Sequence, residues 1–503
     1  MTDSGRLRTA ASPQIRRMLL EHRDNPRPAW KDELSRITLV DLAHVVMLAE
    51  QGVTGERTAA ELLSAILELR ARDFAPLEDR PTPRGLYLAY ENYLIESLGE
   101  GIGGVLQTGR SRNDLNATCL QLALRVPYQR LSEELSLLGV VLTNRARRYS
   151  ATLMPAYTHF QAAVPITYGH YLLGLAGALK RDAEALRHAG TALDHCPLGA
   201  GSIGGTTVPI DPERTAGLLG FTEPVRNSVD AIASRDTALR LLAMSSILGT
   251  TLNRAALDLL MWSSAEFGLV TIPDGLVGSS SMMPQKRNAF VLEHVQGKSA
   301  AALGAFTAAA AAMRGAPFTN SIAVGTEAMS HVITALDTTT DAVKILRLAY
   351  QGARPVPEAM EARAVEGLTD ATATAEWLVR RGVPFRRAHH QVGEAVRTVL
   401  EGGADSLRAA LPDQPDADGE VPPDLRPAAV RRAAEFGGGP GPTSFDRAFE
   451  PLAGDWLAYR RELRRRTADW QAADDRLAQA VAQVRRPAPT NPVTPIEETA
   501  LHV

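Results

Sequence analysis

Residues 278–288 read G-S-S-S-M-M-P-Q-K-R-N. Gly278 and the run Ser279, Ser280 and Ser281 supply hydroxyls on a pliable backbone, and Lys286, Arg287 and Asn288 set cations and an amide donor just beyond. Met282 and Met283 have little use on a solvated turn. A loop that closes over an anionic ligand uses all of them: hydroxyls and backbone N–H groups as donors, the lysine as the charge, and Met283 with its neighbour as the lid. A Gly/Ser turn ahead of a helix would explain the same letters, so this stretch takes its meaning from the rest of the chain.

Two other stretches carry the same kind of chemistry. In Q-T-G-R-S-R-N-D-L-N-A-T, residues 107–118, Ser111, Arg112 and Asn113 crowd a hydroxyl, a cation and an amide just before a helix. An arginine fork suits a carboxylate, and a helix N-terminus adds free N–H groups and a favourable dipole. In Y-T-H-F-Q-A-A-V-P-I-T-Y-G-H, Thr158, His159 and Gln161 form a polar knot between apolar flanks. A histidine moves protons near neutral pH; His170, inside the following apolar run, reads as structural. Glu293 lies one to two turns into a helix that would begin near Asn288, where it could orient a distant histidine. Each stretch alone is also what a helix cap or a solvated charge looks like. Together they offer anion-binding donors, one acid/base histidine and a lysine, with neither a metal-ligand cluster nor a phosphate loop.

A small dicarboxylate suits that set. Removing a proton beside a carboxylate builds negative charge on it, which preorganised donors and a lysine stabilise. A serine hydroxyl serves as the base only if nearby N–H groups and a cation stabilise its alkoxide in a closed, dry site.

The elements that must position these groups are helical. Apolar residues make up 45% and aromatics only 5% of 503 residues. Long stretches near 115–150, 160–195, 229–268 and 288–315 repeat apolar residues every three to four positions, the mark of helices buried on several sides. Residues 37–72 show two helices around the turn Q-G-V-T-G-E, with Thr54 as a candidate cap. Residues 379–393 punctuate a helix–turn–helix with Gly382 and Pro384. Residues 402–443 read as loop and 485–503 as a disordered tail. This predicts an all-α chain in three parts: 1–109, a central bundle of long helices over 110–365, and a C-terminal helical part over 366–503. Apolar rods of this length pack against copies of themselves, so an oligomer is expected.

The net charge of −3 gives no basic footprint for nucleic acid. Two cysteines, Cys119 and Cys196, fit a reducing compartment. The N-terminus lacks an apolar leader, and no apolar run is long enough to span a bilayer. A cytoplasmic protein without a membrane partner is expected.

V-G-S-S-S-M-M-P-Q-K-R-N-A-F-V-L-E resembles the mobile loop of the aspartase/fumarase superfamily, and T-G-R-S-R-N-D matches the argininosuccinate lyase branch. So do T-H-x-Q with P-I-T-x-G-H, P-L-G-A-G-S-I-G-G-T-T-V-P-I-D (197–211), N-S-V-D-A (227–231) and V-R-R-G-V-P-F-R-R-A-H-H-Q-V-G. The resemblance spans roughly residues 37–400. It implies a three-domain helical fold, a homotetramer around a twenty-helix core, and active sites built from three subunits. The implied reaction is a cofactor-independent β-elimination that releases fumarate from a small N-substituted aspartate. Ser280 falls at the base, with Ser279 or Ser281 as alternatives. Lys286 and Asn288 would hold the activated carboxylate, and Ser111, Arg112 and Asn113 would hold the substrate. Thr158 and His159 would serve the leaving side, with Glu293 orienting His159 and Gln161 nearby.

Departures from the branch gather around the leaving group. Gly85 and Tyr87 stand at the Asp and His of its E-D-x-H motif, Leu115 and Val164 replace glutamines, and Ala289 and Phe290 follow Asn288. In 316–328, Asn320, Gly325 and Ala328 replace the Tyr, Gln and Lys that surround the arginine-bearing arm. A pocket stripped of its polar partners rejects its former ligand strongly. The expected activity is a carbon–nitrogen lyase on an N-substituted aspartate other than argininosuccinate, with Asn320 in the altered pocket. The superfamily member that cleaves ethylenediamine-N,N'-disuccinate is similar in this respect. Alternatives are argininosuccinate lyase itself, a lyase with a non-amine leaving group, and a silent structural homologue of the crystallin kind.

Overall fold

The computed structural model describes residues 12–15, 18, 28–82, 85–411 and 424–486. The chain is mostly helical, and four long helices build its centre: α4 (Arg112–Arg148), α5 (Tyr168–Gly190), α6 (Asp236–Trp262) and α9 (Val332–Gly352). Ahead of them come α1 (Ala29–Glu50), α2 (Glu56–Ala71) and α3 (Leu86–Leu98).

The four central helices share one pattern. Leu124, Leu131, Leu135, Leu138 and Leu142 of α4 are all fully buried, and so are Leu241, Leu252 and Leu259 of α6 and Leu336, Val343, Leu346 and Tyr350 of α9. Steps of three and four keep such residues on one stripe. Each buried leucine is worth roughly 1.5–3 kcal/mol, and the stripes meet where α4 packs on α5 and α9.

Three buried clusters result. The largest joins the central helices. A second gathers α1–α3 around Leu34, Leu62, Ile66 and Tyr90. A third packs α10 (Ala371–Arg380) on α11 (Phe385–Leu400) through Trp377, Leu378, Ala388 and Val392. The final helix, α12 (Pro442–Val484), runs 43 residues and belongs to none of them alone. Its first half buries Phe445 and Trp456 in the central cluster, and its end buries Leu477 and Val481 among α1–α3. It ties those two clusters together.

Several expectations change in detail. The stretch near 160–195 is not helical throughout. Residues 153–167 form an antiparallel hairpin, β1 (Leu153–Thr158) with β2 (Gln161–Thr167), and α5 starts only at Tyr168. Thr54 does not cap α2; Gly55 holds that position without a side-chain bond. The 402–443 stretch carries short helices at Leu407–Ala410 and Pro427–Ala433. The tail beyond 486 lies outside the described residues. The helix–turn–helix at Gly382 is present, with Gly382 at a φ of 86°. Among the described residues, no helix is long and apolar enough to cross a membrane.

One close approach fixes how α12 lies on α4. Trp456 is fully buried, and a Cβ at Gly139 would sit 2.2 Å from its ring. Gly139→Ala should therefore cost about 1–3 kcal/mol, the usual penalty for overpacking. A thermal unfolding midpoint equal to the wild type's would show that α12 can shift on α4.

Candidate active site

The loop ahead of α4 is held from beneath by buried polar groups. His44 of α1 donates through Nε2 to the Thr108 carbonyl at 2.8 Å. Arg110 is buried against Asp41, and its guanidinium also donates to the Tyr87 hydroxyl at 3.4 Å. Burial raises the Asp41 carboxyl, with Arg110 acting against that rise. Burial, then the nearby Arg110 charge, drives the His44 pKa down to about 3. His44 is thus neutral at physiological pH, and its bond to a carbonyl puts the ring's one proton on Nε2.

Asp114 ties this loop to the glycine-rich turn at 199–205. Its carboxylate accepts from the Ser111 N–H at 3.0 Å, the Gly199 N–H at 3.2 Å and the Gly201 N–H at 2.9 Å. The Ser111 hydroxyl in turn accepts from the Asn113 N–H, completing the helix cap. Gly109 must be glycine, because its φ is 72° and a Cβ would meet Ile210 at 2.8 Å. Between loop and turn lies an open groove of about 510 Å³ lined by Gln107, Ser111, Arg112, Ser202 and Thr206. It offers hydroxyls, an amide and a guanidinium at a helix N-terminus, which suits a carboxylate.

Asn113 stands beside this groove with its amide engaged at both ends. Its Nδ2 donates to the Ser202 carbonyl at 2.8 Å, and its Oδ1 accepts from Asn320 Nδ2 at 3.0 Å. Asn320 precedes Ala323–Glu327, which is wound as a π-helical turn. Such turns collect at functional sites.

The serine loop hangs from a short ladder, β3 (Gly278–Ser279) with β4 (Arg287–Asn288). Arg287 fastens its base by donating to the Ile272 carbonyl at 2.8 Å and to Asp274. Inside the loop, Ser280 Oγ accepts two backbone N–H groups, from Met282 at 3.3 Å and Met283 at 3.0 Å. Ser281, Met283 and Lys286 are exposed, and Met282 is 88% exposed. Asn288 and Glu293 line a neighbouring groove of about 380 Å³ with Ser263 and Ser264. The helix after the loop, α7 (Phe290–Lys298), begins later than expected, so Glu293 lies in its first turn.

His159 and Phe160 form the hairpin tip, between the paired Thr158 and Gln161. Both have left-handed backbones, with φ of 52° and 62°. That is the type I′ turn that two-residue hairpins prefer, normally filled by Asn-Gly. Placing non-glycine residues there costs on the order of 1–2 kcal/mol each. The turn leaves His159 exposed at the extreme of the hairpin.

The candidates are carried by three elements: the groove at the head of α4 with Asn320, the serine loop with Asn288 and Glu293, and the hairpin tip. The sequence reading missed Ser202, and it named neither Asp114 nor Asp41 as support for the site. The glycine spacing in G-A-G-S-I-G-G was the available signal for the first two. Nothing local marks Asp41 as the partner of Arg110.

The family model described as "Lyase" matches residues 42–304, and the one described as "Argininosuccinate lyase C-terminal" matches 368–424. The argininosuccinate lyase of Halorhodospira halophila is 36% identical over 385 residues, covering 75% of this chain and 82% of that protein. That of Methanosarcina mazei is 35% identical over 356 residues, covering 71% and 72%. A crystal structure of EDDS lyase in complex with formate superimposes with a TM-score of 0.86 at 27% identity, over 96% of this chain and 98% of that one. Class II fumarase from Schistosoma mansoni shares the fold, with a TM-score of 0.64 at 15% identity over 76% of this chain and 86% of that one.

Fold and matches together define a lyase of the aspartase/fumarase superfamily. Within it, the chain belongs to the argininosuccinate lyase branch and is a carbon–nitrogen lyase.

His44 generates a prediction about pH. Its folded pKa lies below the unfolded value of about 6.5, so the unfolded chain takes up the proton first. Stability from this group is complete above pH ~6.5 and falls as the pH drops toward 3. His44→Gln keeps a donor for Thr108 and should flatten the dependence of the thermal midpoint on pH across that window. An unchanged slope would assign the acid sensitivity elsewhere.

Proposed function

We propose that the protein eliminates fumarate from an N-substituted aspartate, with Ser280 as the base. The observation that carries this is the pair of N–H groups, from Met282 and Met283, on Ser280 Oγ. A serine works as a base only where its alkoxide is stabilised, and two preorganised donors begin that stabilisation. The same observation favours Ser280 over the exposed Ser281.

Ser280 takes the proton from the carbon next to the carboxylate that Lys286 and Asn288 hold. The electron pair left behind is stored on that carboxylate and then expels the amine from the neighbouring carbon. Ser111, Arg112 and Asn113 fix the other carboxylate, while Thr158, Gln161 and His159 serve the departing nitrogen, with Glu293 steering His159.

These groups come together in a homotetramer in which three chains complete each site. The apolar surface of the long helices supports this. The helix α8 (Ala301–Met313) reads A-A-L-G-A-F-T-A-A-A-A-A-M, yet only Ala302 and Ala309 in it are buried. Ile247 is 54% and Leu303 57% exposed. Apolar surface on this scale marks a protein interface.

Ethylenediamine-N,N'-disuccinate is the leading substrate. The full-length likeness to EDDS lyase supports it, as does the altered pocket at Asn320, Gly325 and Ala328. Ala328 is buried in the central cluster, where a lysine would be a buried charge. The second reading is argininosuccinate, favoured by relatives of 34–38% identity named argininosuccinate lyase.

Fumarate formation from each compound, followed by ultraviolet absorbance, decides between them. Turnover of the disuccinate and not of argininosuccinate is expected; the reverse would make this an argininosuccinate lyase. Ser280→Ala should lower kcat by on the order of 10²–10⁴-fold while the assembly elutes unchanged on a sizing column, and a near-normal rate would remove Ser280 as the base. Lys286→Ala should raise KM as well as lower kcat, and unchanged kinetics would take it out of the site.

A further inference from the structure

The serine loop keeps its shape by bonds within itself and its place by bonds to the rest of the protein. The β3–β4 ladder ties one limb to the other, and so does the Arg287 guanidinium on the Ile272 carbonyl and Asp274. Limbs joined in this way move together, so these contacts alone do not fix where Ser280 stands. Outside ties do that. Val270–Thr271 pairs with Arg354–Pro355. The end of α9 then closes on the stretch that follows, where a Cβ at Gly352 would meet Pro273 at 3.0 Å and Leu276 at 3.1 Å.

A further tie comes from the N-terminal side of the chain. The Ser12 N–H donates to the Gly275 carbonyl at 2.9 Å. Gly275 lies in the turn Asp274–Leu276, just ahead of the ladder. Ser12 also opens a single helical turn, Pro13–Ile15, and its Oγ accepts from the Ile15 N–H at 3.3 Å. Pro13 and Gln14 stand exposed, whereas Ile15 is fully buried in the central cluster that also takes in Leu276 and Val277. The two contacts differ in kind. Burial of Ile15 is non-directional and supplies the hold; the backbone bond is directional and sets where Gly275 lies.

We propose that the turn at residues 12–15 anchors the root of the serine loop and that Ile15 is a positioning residue for Ser280. Ile15 touches no substrate; it acts by holding Gly275, and through it the loop, in place. The positioning role rests on the lyase reading, and the anchor does not.

The test uses the full chain carrying Ile15→Asp, Ile15→Val or Ser12→Pro. A buried aspartate expels the pin, valine keeps it, and proline removes the N–H that Gly275 accepts. Trypsin reads the loop without turnover. Cleavage after the exposed Lys286 should quicken severalfold in Ile15→Asp and Ser12→Pro, while cleavage after Arg381, between α10 and α11, keeps its wild-type rate. In fumarate formation, kcat should fall by on the order of 10–100-fold in Ile15→Asp, the effect of a small misplacement of a reacting group. It should fall less in Ser12→Pro and stay close to the wild type's in Ile15→Val. Where Ile15→Asp does not fold, Ser12→Pro decides, because that change leaves the central cluster intact. Unchanged cleavage after Lys286, or cleavage that quickens equally after Arg381, overturns the anchor. Faster cleavage after Lys286 with an unchanged kcat overturns the positioning role of Ile15. Wild-type protein that forms no fumarate from ethylenediaminedisuccinate or argininosuccinate overturns the lyase reading, and the cleavage rates still decide the anchor.

Discussion

The site depends first on one buried carboxylate. Asp114 is wholly inside the protein, and burial pushes its carboxyl up. It stays there because backbone N–H groups from two separate loops converge on it. Those bonds oppose the cost of burial, and they also join the start of a 37-residue helix to a glycine-rich turn 85 residues further on. An acid elsewhere in the first turn could still serve the free N–H groups of the cap. Only one at this position can cap it and also draw in Gly199 and Gly201. The glycines answer the same demand: Gly201 has a φ of 60°, and a Cβ on it would meet the Gly205 carbonyl at 2.5 Å. The groove between loop and turn is the space these contacts leave, so its shape follows from the carboxylate.

The two loops that bear the proposed acid/base groups are held differently. The serine loop has a firm base at Arg287 and Asp274 and a free outer limb at Met282 and Lys286. That suits a segment that must close over a ligand and reopen. The hairpin tip does not need to move. His159 is fixed by a two-residue turn on a paired ladder, and the backbone strain at His159 and Phe160 is offset by the β1–β2 bonds and by Tyr157 packing on Phe267. Under the proposed function, a base on the exposed loop and an acid/base partner on the paired hairpin would divide the work sensibly, because the proton must be taken only once the site is sealed.

The central helices were legible in the sequence because their buried stripes repeat every three to four residues over many turns. The hairpin was not. T-H-F-Q carries no Asn-Gly or Gly, and Ala162–Ile166 is as apolar as the helix that follows, so the period breaks off without punctuation. Thr54 was misread for a related reason: a hydroxyl one residue too early cannot reach the first free N–H groups, and Gly55 takes the extended backbone instead. Among the site residues, those on a local motif were found, such as Ser111 on its cap and Ser280 in its loop. The groups that hold them from a distance, Asp41, His44 and Ser202, were not, because a contact across 64 or 89 residues leaves no local trace.

The same geometry explains why a single chain would be an incomplete catalyst under the proposed function. The groove at the head of α4, the serine loop and the hairpin tip are each anchored to stiff elements: a capped helix, a ladder pinned to Asp274 and a paired hairpin. Rods such as α4 and α6 are clamped along their length by fully buried leucines, so the elements they carry keep fixed positions. A second copy can supply what bending cannot. The apolar faces left open on α6 and α8 are the natural place for that copy to dock, because burying them gains hydrophobic free energy. Assembly and catalysis would then be one event. The same stiffness would hold the groups in register between chains.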